Sequence, residues 1–249
     1  MFPENKMSLD IDLITQSHKF DTVLKILKDV NRKFIVVDGV IGAGKTTIIR
    51  LLEDKINSET NPEKKLKVKA IYEPVELWNK TGALQYFYED ISKHCYEFQT
   101  YTFITRIGSV IDEIYSAPDA DVYILERSIW TDRYIFMELL KDLVGDLRMT
   151  MYNQWCDVWA YIMPMRVDKW VLLDTSLEES LRRINIRNRN GEESISTDYQ
   201  KQLYEKHIEF FDKLKKDGKP VLVVNSGLMD INFIENKEKM NEIIKSILE

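Results

Sequence analysis

Cysteine is scarce in this 249-residue chain: only Cys95 and Cys156 occur, and nothing in their positions pairs them. That argues against a disulfide framework or a zinc site, and for two buried thiols in a reducing compartment. Six prolines and nine glycines are too few for disordered or fibrous material. Basic residues are not in excess either, since 35 Lys and Arg face 41 Asp and Glu for a net charge of −6. The broad basic face that duplex nucleic acid needs is therefore missing, and any nucleotide handled here is a small one. No run approaches about eighteen apolar residues, and Glu4, Asp10, Asp12 and Asp21 make the N-terminus unlike a signal or transit peptide. The expectation is a cytoplasmic protein with neither a membrane nor a nucleic acid polymer as partner.

What is present, 44% hydrophobic and 31% charged residues, suits one large α/β domain over residues 31–249. Residues 1–30 read as an extension: 1–18 have no strong period, and Phe20, Val23, Leu24, Leu27 and Val30 follow at the spacing of a short amphipathic helix. The continuous apolar run Phe34-Ile35-Val36-Val37-Asp38 has the character of a strand buried on both faces, leading through a glycine-rich turn into a helix over Thr46 to Lys55. Further strands are predicted at Val68 to Tyr72, Val122 to Leu125, Lys169 to Leu173 and Val221 to Val224. Helices are predicted at Phe98 to Ile114 and Leu177 to Asn188, and a polar loop at Asn57 to Lys65. Alternating strands and helices imply a parallel sheet, whose ligand site lies outside the carboxyl ends of the strands.

Polar clusters follow three of those ends. Gly39-Val40-Ile41-Gly42-Ala43-Gly44-Lys45-Thr46 matches G-x-x-x-x-G-K-[ST], a loop whose backbone N–H groups curl round a phosphate at a helix N-terminus. Lys45 supplies a point charge for β/γ oxygens, and Thr46 a hydroxyl ligand for Mg²⁺. Glu73-Pro74-Val75-Glu76-Leu77-Trp78 joins a carboxylate able to accept a hydroxyl proton to an indole able to wall a flat base. Alone, that hexapeptide is also what a surface acid and a core tryptophan would leave. In Phe98-Gln99-Thr100-Tyr101, Gln99 has the amide for a bidentate contact to a base edge, and Arg106 lies seven residues on along the same helix face. Glu126-Arg127-Ser128 offers an acid for a metal shell and a guanidinium for phosphate and nucleophile, or else an ordinary ion pair at a helix start. Asp132 and Phe136, four apart, set a carboxylate beside a ring. Arg182, Arg183, Arg187 and Arg189 form a basic helix entering a loop, either a solvated face or a lid over a transferring phosphoryl group.

In this order the motifs make the chain resemble the deoxyribonucleoside kinase family from about Phe34 to Val224. The markers are GxxGxGKT at Gly39–Thr46, EPVxxW at Glu73–Trp78, FQTY at Phe98–Tyr101, ERSxxxDRYIF at Glu126–Phe136 and RxxxRxRxxE at Arg183–Glu192. The resemblance implies a P-loop kinase fold, a parallel five-stranded sheet wrapped by helices, with a helical lid at about 182–195 and a homodimeric assembly. It implies ATP, with Mg²⁺, held by Gly39, Gly42, Ala43, Gly44, Lys45, Thr46 and Thr47 and by Arg183, Arg187 and Arg189. Thr46 and Glu126 would share the Mg²⁺ shell, and Glu73 would take the 5′-hydroxyl proton with Arg127 beside it. Gln99 would hold the base, Phe136 stack on it and Trp78 wall it, while Tyr88 and Glu192 meet the 3′-hydroxyl. Arg106 and Asp132 would favour purine deoxynucleosides or deoxycytidine over thymidine. Two rivals stay open: a nucleoside monophosphate kinase, and a nucleotide switch, for which Asn79-Lys80-Thr81-Gly82 lacks the aspartate of N-K-x-D.

Overall fold

A computed structural model describes residues 13–58, 66–187, 195–226 and 237–248. In chain order the elements are α1 (Leu13–Lys28), β1 (Lys33–Asp38), α2 (Lys45–Asn57), β2 (Val68–Ile71), α3 (Val75–Lys80), α4 (Ala83–Glu89), α5 (Ile91–Ser116) and β3 (Val122–Glu126). Then come α6 (Ile129–Thr131), running into a π-helical turn at Asp132–Met137, α7 (Lys141–Val144), α8 (Asp146–Ile162), β4 (Lys169–Asp174), α9 (Leu177–Arg187), α10 (Thr197–Lys216), β5 (Val221–Asn225) and α11 (Lys237–Leu248). All five predicted strands form, in one parallel sheet ordered β2-β3-β1-β4-β5.

Helices cover both faces of the central strands, so inner positions cannot alternate with polar ones; Ile35, Val36, Val37, Ile124, Val171 and Leu173 are all buried. Phe34 sits opposite Tyr123 in the β1–β3 register, and their rings stack with centroids 5.1 Å apart. The N-terminal helix departs from its expected limits. It begins at Leu13, buries Val23, Ile26 and Leu27, packs on α5 and stops at Lys28. Val30 therefore lies in a turn, 84% exposed, and not on the apolar stripe. Helix α5 starts at Ile91, before the predicted Phe98, because Asp90 accepts the Lys93 N–H and caps it there. Asn57 closes α2, whereas most of the expected polar loop and the 188–194 part of the lid lie outside the described residues.

Register positions the site. Val37 pairs with Glu126 and Ile71 with Leu125, so the chain leaves β1, β2 and β3 on one edge of the sheet, carrying Asp38, Glu73 and Arg127. Across that edge α9 packs on the turn after β1. Gly42 has φ +81°, and a Cβ there would come within 2.5 Å of the Ser180 carbonyl oxygen. Gly42→Ala should therefore cost about 2 kcal/mol through left-handed backbone and overpacking. Thermal unfolding is the check, and an unshifted Tm would mean that the loop is not held against α9.

Candidate active site

The phosphate loop is built for an anion. No side chain caps the N-terminus of α2, and Gly44, its N-cap, has φ 91°, so the first N–H groups of that helix remain for a ligand. Lys45 is buried, with Nζ donating to the Gly39 and Val40 carbonyls at 3.2 and 3.1 Å. Burial, and then the Arg127 charge, depress its pKa to about 8 against the pull of nearby acids. The loop is also held from behind. Arg183 donates to the Ala43 carbonyl at 3.3 Å and the Ser226 carbonyl at 2.8 Å, while Gln200 Nε2 donates to the Ile41 carbonyl at 2.7 Å.

Beside the loop opens a cleft of about 740 Å³, counting the space open to solvent at its mouth. Gly42, Lys45, Thr46 and Arg187 line one end, and Trp78, Tyr88, Gln99, Thr102 and Phe136 the other, with Glu73, Arg106, Glu126, Arg127 and Asp132 between them. Trp78 Nε1 donates to Thr105 at 2.9 Å, which fixes the indole in the wall. Gln99 and Arg106 do share a face of α5, and both are buried. Asp132 and Phe136 lie not on regular α-helix but in the π-helical turn, yet both reach the cleft. Glu192 and Arg189 lie outside the described residues, and Thr47 is exposed and lies outside the cleft lining.

Arg106 joins the two ends. Its Nε and Nη2 donate to the two Asp132 oxygens at 2.7 and 3.0 Å, Nη2 reaches Glu73 at 2.9 Å, and Nη1 donates to the Glu126 carbonyl at 3.1 Å. Burial opposes its charge, but Asp132 and then Glu73 more than reverse that and raise its pKa. Glu73 also pairs with Arg127 Nε at 3.3 Å. Burial works against a charged Glu73, yet Arg127, Arg106 and Lys45 hold the carboxyl down at about 2, so it is ionised. Glu126, which accepts from the Thr46 hydroxyl at 2.7 Å, goes the other way: burial and then the Glu73 charge push it up. The Arg127 guanidinium lies over the Phe136 ring, 4.6 Å from its centroid.

Sequence reasoning missed four polar contributors. From sequence Asp38 is only the end of a strand, although it is a strand-end acid like Glu73. Thr131 and His207 contact it, and Tyr199 lines the cleft from α10. A lone histidine or tyrosine on an amphipathic helix carries no local signal of such a role.

A parallel sheet with an anion loop after its central strand and an acid-lined cleft beside it is the α/β architecture of a P-loop kinase. Residues 35–249 match the deoxynucleoside kinase family model, and the chain belongs to that family of ATP-dependent enzymes. It is 29% identical over 219 residues to the probable deoxycytidine kinase of Fowlpox virus, covering 86% of each chain. Identity to the deoxycytidine kinase of Homo sapiens is 28% over 241 residues, 86% of this chain and 92% of the other. To the deoxyadenosine kinase of Dictyostelium discoideum it is 30% over 221 residues, with 88% and 80% covered.

The buried pair has a measurable consequence. Arg106→Met leaves Asp132 and Glu73 in a dry site without their shared cation and should lower unfolding free energy by about 3–5 kcal/mol. Adding Asp132→Leu removes the stranded charge and should restore much of the loss. Urea unfolding reads both; a single variant as stable as the parent would show that the pair is not desolvated.

Proposed function

We propose that the chain moves the γ-phosphate of ATP onto the 5′-hydroxyl of a deoxynucleoside, taking purine deoxynucleosides or deoxycytidine and disfavouring thymidine. The observation that carries this reading is the ionised Glu73, held by Arg106 and Arg127 in a cleft that opens beside the phosphate loop. Nucleotide phosphates would occupy the α2 N-terminus, draw Lys45 off the loop carbonyls and meet Arg127 from one side. Glu73 would accept the hydrogen bond of the 5′-hydroxyl and orient its lone pair in line. With a pKa of about 2 it is a weak base in the free enzyme. Phosphate oxygens that claim the charge of Arg127 and Lys45 would raise its basicity, and late proton transfer suits a loose transition state.

Thr46 and Glu126 suit a Mg²⁺ ion. Mg²⁺ takes one or two protein ligands plus substrate phosphates and water, and among the described residues no cluster of three or more His, Cys, Asp or Glu would hold a metal alone. The local charge fits as well: buried Asp38, Glu126 and Asp132 together with the partly buried Glu73 outnumber buried Lys45, Arg106 and Arg127 by one, and Glu126 is the acid without a guanidinium against its carboxylate. When bound, the ion would neutralise charge on the transferring group. Arg187 lines the cleft and, with Arg189, would close as a lid.

On the base side, Gln99 would read an edge while Phe136 and Trp78 flank the ring. Both Asp132 oxygens accept from Arg106, and each keeps a lone pair for an exocyclic amino group. Thymine offers a carbonyl and a methyl instead, and the lost hydrogen bond is worth about 1–3 kcal/mol, roughly ten- to hundred-fold in kcat/KM. Exposed Leu147, Met151, Trp155, Val158 and Ile162 recur on one face of α8, a surface that a second copy of the chain would cover in a homodimer. Residues 31–249 would be the kinase domain, and the location cytoplasmic; among the described residues no helix is long and apolar enough to cross a membrane.

Two measurements test this. kcat/KM over the four deoxynucleosides should place thymidine last, whereas thymidine first would sink the reading of Arg106 and Asp132; a monophosphate as the better acceptor would favour a monophosphate kinase. Glu73→Gln should bind nucleoside yet turn over roughly 10²–10⁴ more slowly. Near-normal turnover by that variant would remove Glu73 from the mechanism.

A further inference from the structure

Behind the Arg127 guanidinium lies a buried group that the scheme above does not use. Asp38, the last residue of β1, accepts at Oδ1 from the Gly39 N–H at 2.8 Å and from Arg127 Nη1 at 3.1 Å, and at Oδ2 from the Thr131 hydroxyl. His207 on α10 closes the group. Its Nδ1 lies 2.7 Å from the Leu203 carbonyl, which can only accept, so Nδ1 carries a proton. Burial, against the opposing pull of Asp38, pushes His207 below its ordinary value and keeps the ring neutral. Nε2 then has no proton to give Asp38 Oδ1, 3.2 Å away, and the donor it meets is Arg127 Nη1 at 3.3 Å, which both acceptors share. Thr131 is tied in turn to Ser128 by a capping box, so the turn bearing Arg127 is anchored at both ends.

Arg127 needs such anchoring. Among the described residues it is the non-glycine with positive φ, at 64°, a strained conformation that persists only where the surroundings over-determine it. Its N–H donates to the Val37 carbonyl, one residue before Asp38, so backbone and guanidinium are both referred to the end of β1.

We infer that Asp38 and His207 are positioning residues that grip Nη1 of Arg127 between a carboxylate and an imidazole, aiming the guanidinium for phosphoryl transfer. The inference rests on the proposed action of Arg127 at the transferred group. A purely structural Asp38 would serve the start of the phosphate loop through Gly39, with no need of Arg127.

Two variants separate these roles. Asp38→Asn keeps the volume but turns one acceptor oxygen into a donor; His207→Phe keeps a ring against Phe136, whose centroid lies 6.2 Å away, and deletes Nε2. kcat should fall roughly 10²-fold in the first and roughly 10-fold in the second, with KM for nucleoside and ATP moving less than about 3-fold. In an Arg127→Ala background neither should lower kcat further, because the group they act through is gone; losses that add would overturn the inference. Nitrogen NMR of the Arg127 guanidinium gives a readout independent of turnover. Slowly exchanging Nη protons in the wild type should exchange quickly in both variants, and His207→Phe carries the test should Asp38→Asn fail to fold. Guanidinium protons unchanged in folded His207→Phe would overturn the grip whatever the acceptor. Released protons with unaltered kcat would uphold the grip and refute instead the role of Arg127 in transfer.

Discussion

Taking a carboxylate out of water costs several kcal/mol unless a cation and hydrogen bonds go with it, and this protein sets four around one cleft, with Asp38, Glu126 and Asp132 buried and Glu73 only 15% exposed. Three of them, Asp38, Glu73 and Glu126, come from the carboxyl ends of neighbouring parallel strands. Parallel register makes this unavoidable. With Val37 opposite Glu126 and Ile71 opposite Leu125, polar residues at the strand ends share one edge, and the guanidiniums of Arg106 and Arg127 must thread among them. Much of the architecture around the cleft serves that neutralisation: α5 brings Arg106, the turn after β3 brings Arg127, and α2 begins on Lys45.

Arg106 shows what such a network can do beyond compensating charge. One side chain touches Asp132, Glu73 and the Glu126 carbonyl, which in the proposed function are the base side, the reacting side and the strand end between them. A base that displaced Asp132 would therefore disturb Glu73, the group proposed to orient the hydroxyl. In that reading recognition and reaction geometry would be joined by a rigid fork and not by distant packing, which a lysine, with one charged atom, could not supply.

The sheet was legible because buried parallel strands are apolar runs bounded by polar turns; β1, β3, β4 and β5 have continuous cores of that form, and β2 is interrupted only by Lys69. Six helices, α3, α4, α7, α8, α10 and α11, were not, since nothing in a single local stretch separates a short amphipathic helix from a polar connection. At the site, Lys45, Glu73, Gln99, Arg106, Glu126 and Arg127 were legible as motif residues, and the cleft brings all six together. Asp38 and His207 were not legible as partners because they meet across 169 positions of sequence, through the packing of α10 on the end of β1. Val30 failed for the opposite reason: its spacing fits the helix, but the chain must turn after Lys28 to enter β1.

The conformation of Arg127 is where local preference and fold disagree most openly. A glycine would adopt φ 64° without strain, as the glycines of the phosphate loop adopt theirs, but it would leave Asp38 and Glu73 facing each other across an empty space. Arginine keeps the charge and accepts the strain. That is tolerable because the surroundings hold both halves of the residue: Val37 takes its N–H, the Ser128–Thr131 capping box fixes the chain beyond, and Asp38, Glu73 and His207 surround the guanidinium. Strain at this point is thus balanced by electrostatics that the proposed transfer would need anyway, since a guanidinium aimed before a phosphate arrives does not have to be ordered when charge develops.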